Sequence, residues 1–565
     1  MTQVGEGVAV LMIGDNPDEE PEKTEKKPIT LRISVFFDGT GNNRANIKAR
    51  KGEGDSAAYE TVKKQDPGAQ LPGQDPKHVG TSNASFENDY SNVSYLEEGV
   101  KSTDENDYHT AIYVEGAGTQ DLRKVSKQYE DDMRAYQEQL DIWNQTAMYA
   151  SAPVLPPSKP KFNVDSGEGN GMATGETGIY AKMHSAVNEI SDWYQGLLEN
   201  EGIDPDQYYI VKISIDLFGF SRGAATARSF IHFIMKGEQT FYTKVKTRSR
   251  GARSVKKIVP TSNLLMKLSA NGLDIAIDAL EFGFVGVFDT VSSYVIALKS
   301  NVDSLHLDAI THAKKVYHLA AAEEHRLCFS LTDISSAKKK GTGEEYFLPG
   351  VHSDVGGGYR EARAIPEFGS ILDHGWTMKA LSKLSVDKIK LSDYAKQLEK
   401  EGWFSSQKIY DIETSGVKEK RREIDVKKEK RLLVGPMGYG SVEYEVETEI
   451  TMYRNAVKNS YRTIAFNLMF EEMKKNGFSF EFNAKIKNAV PEELAQVNND
   501  IKDYVASVGN SSKASHWFEK QSSGCPGGFN IEKLRNEHLH YSSTIGLGMW
   551  PRIRKGKKTR ELYQG

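Results

Sequence analysis

Along the first 360 residues the longest apolar stretches are short and nearly continuous, and they break into glycine, aspartate or serine. Residues 31–43, LRISVFFDGTGNN, alternate at first and then turn fully apolar before Asp38-Gly39-Thr40-Gly41-Asn42. Ile210, Val211, Ile213, Ile215, Leu217 and Phe218 make a second run, and residues 282–288, FGFVGVF, a third. Such runs predict strands covered on both sides, as in a parallel sheet between helices. Ala224, Ala225 and Ala227 follow the second run and predict a helix that packs closely on that sheet. The period changes over 121–148, where Leu122, Val125, Tyr129, Met133, Tyr136, Leu140, Trp143 and Ala147 recur every three or four residues. That spacing predicts one aromatic-rich helix face, either packed on the core or serving as a lid, a lipid-facing helix or a docking surface. Beyond 360 the pattern reads as mainly helical, with segments near 372–400, 452–476 and 491–508.

The predicted architecture is α/β: a central, mostly parallel sheet of the α/β-hydrolase kind with helices on both faces, helical insertions and a mainly helical C-terminal region. Residues 1–28 form a mobile segment, charged and Pro-containing over 14–28. Residues 29–365 form the core, with insertions at about 44–88, which is polar and Gly-rich, and at about 121–170, which closes with the Pro-rich APVLPPSKPK. Residues 366–565 pack on that core or complete it.

Candidate chemistry sits where the strands break. Gly219-Phe220-Ser221-Arg222-Gly223 lies between an apolar run and a small-residue helix, the context of a nucleophile elbow. A sharp turn there projects the Ser221 hydroxyl clear of strand and helix. The partners follow in the order Ser, Asp, His. Asp289 ends the 282–288 strand, and His352 lies in a loop opened by Pro349-Gly350 and closed by three glycines. Asp354 is a rival acid, although two residues from His352 it more naturally makes a local loop bond. His318 and His325 read as structural histidines in an Ala-rich stretch, whereas His538 and His540 stay open, with His540 the alternative base. An oxyanion hole would combine the amide of Arg222 with amides of Gly39 and Thr40, unless 38–42 is an ordinary Asp-Gly turn.

These motifs carry a resemblance. VFFDGTGNN, SNV at 91–93, AIYVEGAGT at 111–119, GFSRGAATAR, GVFDTV, HLAAAEEHR and GVHSDVGGGY stand in the order seen in the uncharacterised α/β-hydrolase domain family. Within it the chain resembles the first family of type VI secretion lipase effectors, over about 29–360 with gaps. Leu348-Pro349 stand where relatives often carry an aromatic pair, and 44–80 and 121–170 have no counterpart. The resemblance implies an antibacterial phospholipase of the A type, with Ser221, Asp289 and His352 as nucleophile, acid and base. It also implies a spike or tube protein of the VgrG kind as delivery partner, a cognate periplasmic immunity protein, phospholipid membrane as substrate, and action in a target cell's periplasm.

Bulk properties narrow this little. A net charge of −5 gives no global field toward nucleic acid or membrane. Cys328 and Cys525 are too few for a disulfide framework and match no metal-ligand spacing. Val8–Ile13 is too short and too unlike a secretory signal, so synthesis in the cytoplasm without a signal peptide is expected. Basic clusters at 244–257, 418–431 and 552–560 read as solvated loops or tails, with membrane docking as the functional alternative. Without the resemblance, an ester or thioester hydrolase not acting on membranes, a metal-dependent hydrolase built on Asp38, Asp289, His352 and Asp354, and a binding module with a decayed site all remain open. A serine triad needs no cofactor.

Overall fold

A computed structural model of the chain describes residues 26–53, 84–101, 107–146, 173–236, 238–246, 252–260, 264, 268, 273–275, 279–293, 301–360, 372–379, 391–405, 409–414, 417–422, 424–434, 441–455, 457–481, 488–508, 517–518, 529–543, 549–554 and 557–565. The expected mobile segment before residue 26 and the Pro-rich stretch at 152–161 lie outside these residues.

Six strands carry the fold: β1 (Lys27–Phe37), β2 (Asp107–Val114), β3 (Tyr208–Phe220), β4 (Leu280–Phe288), β5 (Ala313–Ala321) and β6 (Gly343–Leu348). They pair in the order β6-β5-β4-β3-β1-β2, with the short strand Asp274–Ile275 added to β3. Each of these pairings is parallel. The strand order reverses between β1 and β3, and the crevice outside the C-terminal ends at such a point is where open α/β sheets bind ligands.

Alternation along the strands serves two cores at once. Val35 and Phe37 of β1, Leu217 of β3 and Val285 and Val287 of β4 join one cluster, while Phe36, Phe218, Phe284 and Phe288 join another. This is the period of two that sends successive side chains to opposite faces. α1 (Leu122–Thr146) follows β2, α2 (Ile179–Asn200) precedes β3, and α3 (Arg222–Lys236) follows it. α2 and α3 cover the first face with Met183, Ala186, Ile190, Ala224, Ala225 and Phe230. On the second face, α5 (Arg462–Lys475) and α6 (Ala495–Val508) contribute Ile464, Met469, Val497 and Ile501, C-terminal to α4 (His352–Gly356). Each large apolar side chain buried this way contributes about 1.5–3 kcal/mol.

α1 forms where its periodicity predicts. Tyr129, Met133, Tyr136 and Leu140 are half-buried, and the positions between them are exposed. The stripe belongs to neither sheet cluster. In the C-terminal region the helices start later than their periodicity suggests. Leu372–Lys379 is a strand, and it pairs antiparallel with Ser441–Asn455, which also pairs with Ile424–Val434. The helices there are Leu391–Lys400, α5, α6 and Ile531–Glu537.

Candidate active site

β3 delivers Ser221 on a turn that only small neighbours permit. A side chain on Gly219 would lie 2.5 Å from the Gly223 carbonyl, and one on Gly223 would lie 2.3 Å from the carbonyls of Phe37 and Asp38. The elbow is thus wedged against the C-terminal end of β1. Ser221 adopts φ 59°, the left-handed region that costs an L-residue roughly 1–2 kcal/mol. Its amide donates to Phe288 O at 3.0 Å and its carbonyl accepts from the Val291 amide at 3.2 Å, which fasten it to the end of β4.

Asp289 stands one residue beyond β4, also left-handed at φ 42°. Its amide donates to Leu319 O at 2.8 Å. His352 opens α4, and its Nδ1 meets Asp289 Oδ2 at 2.5 Å. The imidazole lies between Phe220, 4.6 Å away by ring centroids, and Phe329 at 4.9 Å. Because Phe220 immediately precedes Ser221, the imidazole stands beside the elbow. Burial pushes the His352 imidazole below its ordinary value, and the bond to Asp289 pulls part of that back. Burial opposes ionisation of Asp289, yet Arg560 and His352 outweigh it and hold the carboxyl well below the usual carboxylate range.

Arg560 was not among the residues picked from the sequence. Its Nη1 donates to Asp289 Oδ1 at 2.6 Å and its Nη2 to Oδ2 at 2.8 Å, a two-pronged clamp on the carboxylate. The cluster at 552–560 is therefore not a solvated tail throughout. Arg560 and Lys558 are buried against Asp289 and Glu401, and Arg552 pairs with Glu561. In sequence the run carries only the signal of a charged tail. Its distance in sequence from the core motifs gives no register for it, because the link is made by Leu562–Tyr563 pairing in parallel with Leu331–Thr332.

The other carboxylates lie with other partners. Asp354 takes His540 Nδ1 at 2.7 Å and the amides of Val351 and His540 at 3.0 and 3.1 Å. Asp354 and His540 thus pair with each other, while His352 takes Asp289. Asp38 accepts from Tyr113 Oη at 2.6 Å, the Gly39 amide at 2.7 Å and Asn42 Nδ2 at 3.3 Å, and burial pushes its carboxyl up. The Gly39 amide is consequently committed to Asp38. The Thr40 hydroxyl is buried and has no hydrogen-bond partner among the described residues. Burial holds the Arg222 guanidinium down at about 10. Among the described residues, no group of three or more His, Cys, Asp or Glu side chains converges as a metal site.

Buried supports stand behind the loops. Glu324, down to about 2 because Arg326 outweighs its burial, accepts from the His352 amide at 3.3 Å. His318 accepts the Thr290 amide on Nε2 at 3.2 Å and meets Glu345 through Nδ1 at 2.9 Å, the structural role its Ala-rich setting suggested.

Residues 181–386 match the family model described as "T6SS, Phospholipase effector Tle1-like, catalytic domain", a span that contains Ser221, Asp289 and His352. No curated protein matches the chain. Among solved structures the chain is similar to the Tle1 effector bound to the VgrG spike from the type VI secretion system, with 17% identity, 99% of each chain covered and a TM-score of 0.51. An uncharacterized protein from Pseudomonas aeruginosa is similar over 59% of this chain and 43% of that one, with 20% identity, but its TM-score of 0.26 carries no argument. The Tle1 likeness shows a shared fold, and residues 181–386 are similar to the catalytic domain of Tle1-like type VI secretion phospholipase effectors.

Proposed function

We propose that the chain is an antibacterial phospholipase of the A type, a serine hydrolase that cleaves acyl esters of membrane glycerophospholipids through Ser221, His352 and Asp289. The observation that carries this reading is the His352–Asp289 bond of 2.5 Å beside a serine held at φ 59° on an elbow. Asp289 fixes the Nδ1–H tautomer, so Nε2 is the basic nitrogen. Nε2 takes the proton as Ser221 Oγ attacks the ester carbonyl. The oxyanion is received by the Arg222 amide and by Thr40, through its amide and its hydroxyl, which has no partner among the described residues. Gly39 drops out of the hole, because its amide already serves Asp38. Collapse expels the lysophospholipid alkoxide, which leaves with the proton from His352. Water then attacks the acyl-enzyme with His352 as base, releasing the fatty acid and restoring Ser221.

The wider reading follows the family: delivery by a VgrG-like spike or tube protein, action on phospholipid in a target cell's periplasm, and a cognate immunity protein that blocks the cleft. The test is product analysis by mass spectrometry on vesicles of phosphatidylethanolamine and phosphatidylglycerol. Lysophospholipid and free fatty acid should appear with the wild type and not with Ser221→Ala. Turnover of soluble esters without either lipid product would favour a carboxylesterase or thioesterase.

A further inference from the structure

Asp289 is saturated, and half of its bonds come from the far end of the sequence. A carboxylate offers about four acceptor positions on its two oxygens. Here the Ala321 amide at 2.8 Å and Arg560 Nη1 at 2.6 Å fill Oδ1, while Arg560 Nη2 at 2.8 Å and His352 Nδ1 at 2.5 Å fill Oδ2. The Arg560 guanidinium is itself fixed, donating from Nε to Phe329 O at 2.8 Å and from Nη1 to Ala321 O at 2.9 Å. Its side chain is only 7% exposed. The segment that carries it is tied down just beyond it. Leu331 and Asp333 donate their amides to Glu561 O and Tyr563 O, each at 2.9 Å.

We propose that Arg560 is a positioning residue of the catalytic site, which locks the Asp289 carboxylate in the orientation that presents Oδ2 to His352. The inference rests on the triad reading. Without the fork, Asp289 keeps Ala321 and His352 and gains freedom to rotate about its Cβ–Cγ bond, so the imidazole loses its fixed aim. The charge has a second consequence. Besides Asp289, the charged groups facing His352 are Glu324 at its amide and Arg326, with Arg560 behind the carboxylate. A cation there disfavours the imidazolium, so its removal makes His352 more basic and moves the acid limb of the pH profile upward.

The experiment compares Arg560→Gln, Arg560→Lys and Arg552→Gln in the full chain, on a short p-nitrophenyl ester, as kcat, KM and kcat/KM against pH. Arg552 holds the same segment through Leu327 O and Glu561 without touching Asp289. Arg560→Gln should lower kcat by about 100-fold with KM unchanged, the scale expected for a misaimed catalytic group. Its acid limb should rise by about one pH unit. Arg560→Lys keeps the charge but not the fork, so kcat should fall while the limb stays near the wild-type position. Arg552→Gln should lower the melting temperature and leave the limb in place. Wild-type kcat and limb in Arg560→Gln, or the same limb shift in Arg552→Gln, overturns the proposal. If Arg560→Gln is recovered only unfolded, Arg560→Lys decides, and wild-type kcat there overturns it. Activity that survives Ser221→Ala would instead sink the triad reading, and so the two failures are separable.

Discussion

Ser221 and Asp289 both hold left-handed backbone, at φ 59° and 42°, and each is fastened by bonds to a neighbouring strand. Strain maintained by its surroundings at a reacting centre sets a testable trade of stability against function. Ser221→Ala should cost about six orders of magnitude in kcat, and its melting temperature should stay near the wild type because the hydroxyl adds little packing. Ser221→Gly should be equally inactive yet at least as stable as Ser221→Ala, since relief of roughly 1–2 kcal/mol of left-handed strain offsets the flexibility glycine adds to the unfolded chain. Calorimetry of the two variants decides it, and a clearly less stable glycine variant would refute the strain argument. His352 must be neutral to act as base. Burial depresses its basicity beyond what Asp289 restores, so kcat/KM on a soluble ester should hold its plateau to below about pH 6.5 and decline only beneath that. His352→Ala should be inactive and His540→Ala active, because His540 is bonded to Asp354. At this scale the sequence showed Ser221, Asp289 and His352 through the strand ends that carry them. Asp289 was already preferred to Asp354 from the two-residue spacing of Asp354 and His352, whereas Arg560 needed the geometry, since a side-chain bond spanning 271 positions leaves no local pattern.

At the level of elements, glycines set how closely the strand ends and loops approach. Gly223 lets α3 start against the end of β1, and a methyl there would meet two backbone carbonyls at 2.3 Å, which no rotamer change can relieve. Gly223→Ala should therefore destabilise the fold by about 1–3 kcal/mol or more and lower kcat, read by calorimetry and ester hydrolysis together. α1 behaves differently. Its Tyr136 and Leu140 are half-buried and outside both sheet cores, so Tyr136→Ser with Leu140→Ser should reduce action on phospholipid vesicles far more than on a soluble ester. A parallel fall of both activities and of the melting temperature would mean that the stripe is core packing. The apolar runs of β1, β3 and β4 were legible because strands buried on both faces have no polar alternative. The strand Ser441–Asn455 was less so, although Val442, Tyr444 and Val446 alternate with Glu443, Glu445 and Glu447. Its charge density reads as a solvated helix face when only apolar spacing is followed, and its antiparallel partners lie far off in sequence for one of the two pairings.

For the whole molecule, the C-terminal region supplies what the first 360 residues lack. α5 and α6 cover the second face of the sheet, Arg535 pairs with the buried Glu323, and Arg560 reaches Asp289. Such dependence was foreseeable only in outline, from apolar strands that need cover on both faces. No described helix is long and apolar enough to cross a membrane. The proposed site of action then makes a compartmental prediction. Fused to a secretory signal, the chain should lyse its bacterial host, whereas the same chain expressed in the cytoplasm should be much milder, and Ser221→Ala should abolish the difference. The physical reason lies in access: a hydrolase that meets lipid from one side degrades the leaflet it faces. Growth curves and leakage of a cytoplasmic reporter, with matched expression in both compartments, measure the contrast. Equal toxicity from both sides, or lysis that survives loss of Ser221, would argue for a housekeeping esterase or for a different lethal activity.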